Sequence, residues 1–239
     1  MTVNLLAIDA SSLPASCALY RDGHLLAEEY LHNRMTHSQT LMPMVQHMLA
    51  TAGLGPEAVD LFAVTVGPGS FTGLRIGIAS AKGMAFGSGK PCLPVSTLTA
   101  LAWNCLCHRG LVYAVMDARC AQVYTAAFRS DGMGGMEPLG EDEAIPLADL
   151  QQRIAAAQEP VMLVGDGARL CYDSLEDKTQ VVLAPAALRF QRASSLGMAA
   201  LDALAKGAEP IPAEALAPTY LRLPQAEREL LQRQAQQNK

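Results

Sequence analysis

V-T-V-G-P-G-S-F-T-G-L-R-I-G-I-A-S-A-K-G-M-A-F-G-S-G, residues 64–89, decides how the rest of the chain is read. The apolar run 61–66 predicts a buried strand. Gly67-Pro68-Gly69 ends it in a turn, because proline brings no donor and glycine supplies unusual φ/ψ. Ser70 or Thr72 then caps a helix that lasts to about Gly87. Gly73, Gly77 and Ala81 recur every four residues along one side of it, and Ala79, Gly83 and Gly87 along another. Each helical glycine costs roughly 1 kcal/mol relative to alanine, and close approach of another backbone is the usual compensation. Leu74, Ile76, Ile78, Met84 and Phe86 fill most of the remaining surface, and a helix apolar nearly all round is packed on more than one side. A sheet on one side and another helix, from this chain or a second one, on the other would satisfy the pattern. A central core helix in a monomer would satisfy it equally.

The same loop invites a phosphate reading, since free N–H groups at a helix N-terminus bind anions. It is not a Walker A loop: no Gly-Lys-Ser/Thr follows, and Lys82 comes two turns too late. A structural tight turn is the better reading, and no nucleophile–base pair accompanies it.

The 239 residues suit one large or two small domains; half are hydrophobic and 17% charged, so a substantial core is expected. A net charge of −5 disfavours direct nucleic-acid binding, because free-standing binders are usually basic. No apolar run approaches the ~20 residues of a spanning helix, and the start lacks the pattern of a signal peptide. Cys17, Cys92, Cys105, Cys107, Cys120 and Cys171 show no C-x-x-C spacing, which predicts reduced thiols in the cytoplasm.

Residues 5–9 predict a buried strand ending on Asp9, followed by a turn, a strand at 16–20, the hairpin turn Asp22-Gly23 and a third strand at 24–30. Thr36-His-Ser-Gln39 is a capping box for a helix to about Ala52, bent at Pro43, with Leu41, Val45, Met48 and Leu49 in its apolar stripe. After the glycine-rich helix come a strand at 91–95 and a helix capped by Ser96 or Thr97. The pattern then restarts: a strand at 111–116 ends at Asp117-Ala118-Arg119, 123–128 returns, and Asp131-Gly132 turns. A-I-D-A-S…S-C-A-L-Y-R-D-G and V-M-D-A-R…V-Y-T-A-A-F-R-S-D-G thus read as two editions of one hairpin. Residues 132–144 look like a flexible excursion, 147–157 helical, 161–164 a strand, Gly165-Asp166-Gly167 a turn and 193–206 a last helix. Residues 225–239 form a polar tail, frayed or helical.

Strands mixed with crossover helices in two similar halves predict an α/β fold of two actin-like or RNase H-like (ASKHA) domains, with mixed sheets flanked by helices. The expected domains are 1–108 and 109–222, with 223–239 as tail. An aspartate at a strand end beside a Ser-Ser turn is where ATPases of this class hold metal and phosphate. Asp9, Ser11 and Ser12 are therefore the candidate remnant of a phosphate loop. The plainer reading, a turn closed by its own side-chain hydrogen bonds, is favoured.

The motifs I-D-A-S (8–11), H-S-Q-T-L-M-P (37–43), G-P-G-S-F-T-G-L-R-I-G (67–77), V-S-T-L (95–98), D-A-R (117–119) and P-T-Y-L-R (218–222) occur together in order. With them the chain resembles the TsaB (YeaZ) family of bacterial proteins, over nearly its whole length except the tail. The glycine motif is the specific one. The resemblance implies a role in making N6-threonylcarbamoyladenosine at position 37 of tRNA. It implies a noncatalytic subunit that binds and activates its catalytic paralogue, the transferase TsaD, together with the ATPase TsaE, and contacts tRNA only through that complex.

In those catalytic relatives two histidines four residues apart bind metal after the glycine loop. The matching positions here are Thr97 and Leu101, and a leucine cannot coordinate a metal. No His-x-x-x-His occurs elsewhere. Arg119 stands where a second phosphate loop would need glycine, and its bulk is expected to fill the γ-phosphate space or to pair with Asp9 or Asp117. The expectations are therefore no catalytic residue, no metal and no cofactor, with weak or absent ATP binding. The alternatives are an actin-like ATPase or small-molecule kinase, supported by Asp9-x-Ser11-Ser12 alone, and a metallopeptidase, an older label for the superfamily. For the partner surface, Leu41, Met44, Val45 and Met48 of the first helix join Gly73, Gly77 and Ala81 of the second. That surface is expected to form a homodimer when the chain is alone and to accept the paralogue in place of one copy.

Overall fold

The computed structural model describes residues 2–33 and 35–222; the expected tail lies outside them. Strands β1 (Asn4–Asp9), β2 (Ala15–Arg21) and β3 (His24–Leu31) form an antiparallel meander. Helix α1 (His37–Thr51) leads to β4 (Leu61–Gly67), helix α2 (Phe71–Ser88) and β5 (Cys92–Ser96). β4 lies parallel to β1 and β5 parallel to β4, giving a five-stranded sheet in the order β3-β2-β1-β4-β5. Every residue of β1 and β4 is buried, as befits strands covered on both faces.

Helix α3 (Thr97–Ala102) leads into the second sheet, which repeats the plan. Strands β6 (Arg109–Arg119) and β7 (Gln122–Asp131) form the hairpin. β8 (Met136–Pro138) and β9 (Glu143–Pro146) pair antiparallel to β7 where β3 pairs to β2. Then α4 (Leu147–Ala155), β10 (Val161–Val164), α5 (Ala168–Ser174) and β11 (Val181–Leu183) complete it, with β10 and β11 parallel to β6. The two hairpins read as copies in the sequence occupy equivalent places. This is the two-lobed α/β, actin-like and RNase H-like architecture.

The layers alternate. α1 and α2 cover one face of the first sheet, packing Leu41, Val45, Met48, Ile78 and Ala81 against Leu6, Ile8, Phe62 and Val64. α3 and the last helix, α6 (Ala193–Ala205), fill the space between the sheets, where Leu98, Leu101, Trp103 and Leu196 meet Ala7, Leu93, Val112 and Met116. α4 and α5 cover the far face of the second sheet.

Several expectations are corrected. The capping box at Thr36 does not form: Thr36 takes the N-cap position of α1, but its side chain makes no cap bond and its carbonyl accepts from Gln39 N–H instead. Residues 132–144 are not a loose excursion, because β7 offers two edge stretches that recruit β8 and β9, and Asp131 Oδ1 ties the intervening turn by accepting from the N–H groups of Met133 and Gly135. α5 and β11 are elements that sequence patterning did not show. The second sheet does begin at Arg109, yet the segment from Ala193 onward returns to the first lobe: α6 lies on β1 and β2, and Ile211 exchanges two backbone bonds with Cys92 at the β5 edge.

The expected partner surface also changes. Leu41, Met44, Val45, Met48, Gly73, Gly77 and Ala81 are all buried within the chain. Their face is the one α1 and α2 turn to their own sheet, because the apolar stripe is worth more covering β1, β2 and β4 than waiting for a partner. A Cβ at Gly73 would overlap the carbonyl oxygen of Ala10, and one at Gly77 would touch the Ala10 methyl at 3.5 Å. These glycines serve the chain's own β1–β2 loop.

Candidate functional site

Between the two hairpin tips lies a polar cleft of about 640 Å³. Ser11 and Ser12 line it from the first lobe, the start of α2 closes one end, and Asp117, Arg119 and Asp166 line it from the second. The first candidate loop is committed internally. Asp9 is wholly inaccessible, and its Oδ1 accepts from Ser11 N–H at 2.9 Å and Ser11 Oγ–H at 2.6 Å. Its Oδ2 has no hydrogen-bond partner among the described residues. Burial pushes this carboxyl above the usual aspartate range, with the Ser11 bonds opposing the shift. A side chain so enclosed does not face the cleft, and the turn is closed by its own hydrogen bonds. Ser12 reaches across instead, donating from Oγ to Asp166 Oδ2 at 2.7 Å.

On the opposite side, Asp166 Oδ1 accepts from Asp117 N–H at 3.1 Å, and burial raises the Asp166 carboxyl. Gly165 and Gly167 flank it because their missing side chains let this turn press on β6: a Cβ at either would collide with the backbone of Val115, Met116 or Asp117. Arg119 departs from expectation in part. Its guanidinium pairs with Asp117 at 3.3 Å and not with Asp9, and its side chain is 82% exposed, so it stands at the cleft mouth and fills no inner space. Arg119, Cys120 and Ala121 all hold positive φ, at 64°, 55° and 54°, a strained tip for residues with a Cβ. The backbone bond from Leu147 N–H to Ala121 C=O anchors that tip on the start of α4.

Ser70 proves to be the cap of α2, accepting from Gly73 N–H at 3.2 Å. Ser96 caps α3 through Leu98 and Thr99 N–H and also donates to Asp142 of the second lobe at 2.6 Å. Thr97 and Leu101 are both fully buried. Among the described residues, no three His, Cys, Asp or Glu side chains converge closely enough to hold a metal ion. All six cysteines are free thiols, and no described helix is long and apolar enough to cross a membrane.

The second candidate region is the outer side of α2. Phe71, Arg75, Ala79, Gly83 and Gly87, every fourth residue, are exposed, and Phe86 beside them is 70% exposed. A Cβ added at Gly83 or Gly87 would meet nothing within 4 Å. Among the described residues, therefore, nothing requires glycine at these two positions, although each weakens the helix by roughly 1 kcal/mol relative to alanine. Packing, which the sequence pattern cannot supply, separates this stripe from the inward one.

A family model described as "TsaD: tRNA N6-adenosine threonylcarbamoyltransferase" matches residues 26–230. The chain is 32% identical over 234 residues to the tRNA threonylcarbamoyladenosine biosynthesis protein TsaB of Bacillus subtilis (strain 168), covering 97% of this chain and 100% of that one. It is 40% identical over 134 residues to the protein of the same name from Escherichia coli (strain K12), covering 55% and 58% of the two chains. A solved structure described as YeaZ from Pseudomonas aeruginosa superposes with a TM-score of 0.78 at 32% identity, over 92% of this chain and 100% of that one.

Proposed function

The chain belongs to the TsaB (YeaZ) family, and from that premise we propose that it is a noncatalytic subunit in tRNA threonylcarbamoyladenosine biosynthesis. In this reading it binds and activates its catalytic paralogue, TsaD, together with the ATPase TsaE, and meets tRNA only within that complex. Two features of its own residues weigh against catalysis. The positions matching the relatives' metal-binding histidines are Thr97 and Leu101, both buried. The phosphate-loop remnant has spent its groups on internal bonds: Asp9 on Ser11, Ser12 on Asp166. An ATPase or kinase would need those groups free for ligand.

The observation that carries the partner role is the outer stripe of α2. Glycines on an exposed helix face, with no neighbour to accommodate among the described residues, suit a backbone arriving from outside. Phe86, 70% exposed, supplies an apolar contact beside them. The occupant we assign is the catalytic paralogue, whose family model matches this chain. A second copy takes the same face when the chain is alone. Docking thus uses the side of α2 opposite to the one expected from sequence.

The test is reconstitution of the modification on tRNA from purified transferase and ATPase, with and without this chain. Omitting the chain should abolish or strongly lower the yield, and the chain by itself should give none. Full activity without it, or modification by the chain alone, overturns the proposal.

A further inference from the structure

We propose that residues 219–222 form a latch that fixes the angle between the two lobes and holds the cleft at one opening. The lobes share an apolar core on one side, where α3 touches both sheets. A pair of lobes joined on one side can open by hinge motion on the other unless something spans the mouth. The chain returns from α6 to do that. Thr219 N–H donates to Val66 C=O at 2.7 Å, at the end of β4. Gly67 lacks the Cβ that would block this approach, since one there would overlap the Thr219 carbonyl.

Tyr220 then stacks on Phe71, with centroids 5.2 Å apart and planes at 26°, and its hydroxyl accepts from Arg75 Nε at 3.0 Å. These contacts bind the strap to the first lobe. Arg222 ends it on the second, donating from its guanidinium to Ala118 C=O at 2.7 Å. Ala118 precedes the strained tip at Arg119, so the bond lands on backbone that is itself held in place. The Ser12–Asp166 bond crosses the same mouth at a separate point. Two anchors on one lobe and two crossings to the other leave no single rotation that opens the cleft without breaking a bond. Lys82 of α2 donates to the carbonyls of Glu214 and Leu216, which ties the segment leading into the strap to the first lobe as well. The inference concerns the chain alone and stands whichever partner docks on α2.

The test is a distance measurement by pulsed electron resonance. Spin labels are placed at Glu57→Cys in the first lobe and Gln152→Cys in the second, both exposed positions, after Cys107→Ser and Cys120→Ser remove the exposed thiols. Labelled chain is diluted into unlabelled chain so that only distances within one molecule are read. The parent should give one narrow distribution, and Ser12→Ala with Arg222→Ala should broaden it or move it to a longer mean. Arg222→Ala alone, which deletes a single hydrogen bond, replaces the pair if the double variant does not fold. A broad distribution in the parent, or the same narrow one in the variants, overturns the latch.

Discussion

Gly73 is buried against the β1–β2 loop and Gly83 is exposed on the same helix, and the two should respond to alanine with opposite signs. At Gly83 the new methyl meets nothing within 4 Å, so Gly83→Ala should stabilise the isolated chain by roughly 1 kcal/mol. At Gly73 it overlaps the Ala10 carbonyl, so Gly73→Ala should destabilise by about 1–3 kcal/mol as the β1–β2 loop is pushed away. Urea unfolding midpoints at unchanged slope measure both. Both glycine stripes are plain in the sequence; which one faces inward was not, because spacing fixes angles around a helix and leaves the direction of the sheet open. Asp9 offers a separate check. Its carboxyl is raised by burial, so the folded chain binds that proton more tightly than the unfolded chain does. Stability from this group is therefore full below the unfolded value and falls as pH rises through the folded one. Asp142 and Asp166, also raised by burial, slope the same way. Asp9→Asn keeps an oxygen for Ser11 and removes the titration. Across about pH 4 to pH 8 its unfolding midpoint should fall less steeply than the parent's; parallel curves would refute this.

β3 and α6 are joined by one carboxylate. Glu28 Oε1 accepts from Ser194 N–H at 3.0 Å and Ser194 Oγ–H at 2.7 Å, and Oε2 pairs with Arg192 at 2.5 Å. It caps α6 from another element, since Arg192 in the N-cap place offers no side-chain cap of its own. Glu28→Ala should cost roughly 2 kcal/mol, the worth of charge-assisted bonds to a half-buried partner, read as a lower unfolding midpoint. Such a cap is invisible to local reading, which looks for the capping residue beside the helix. The same reason explains the elements that patterning missed. The two hairpins, the β4–turn–α2 unit and the Ser70 and Ser96 caps are local and were legible. β8, β9 and β11 have only three or four residues each and exist because a longer strand offers an edge. The return of 207–222 to the first lobe depends on backbone bonds to Cys92 and Val66, far away in sequence.

Two lobes of the same plan share one core, and in the proposed reading the surface through which this body works is the exposed outer side of α2. The stability and binding consequences of Gly83 then part company. An alanine there helps the free chain, for the helical reason given above, but places a methyl where, in the proposed docking, a partner backbone comes close. Gly83→Ala should thus raise the melting temperature of the isolated chain while weakening its complex with the catalytic paralogue. Gly83→Arg enlarges the second effect, adding a long charged side chain at the contact, and leaves folding intact because the site is open. We expect the arginine variant to lose the complex in sedimentation or calorimetry, at a cost of at least about 2 kcal/mol in affinity, and to fail in reconstitution with a normal circular dichroism spectrum. Phe86→Ala should weaken the complex in the same assay without lowering stability, since that ring is 70% exposed in the free chain. Binding unchanged in both Gly83→Arg and Phe86→Ala would place the docking surface off α2 altogether, and the open glycines would then need another cause.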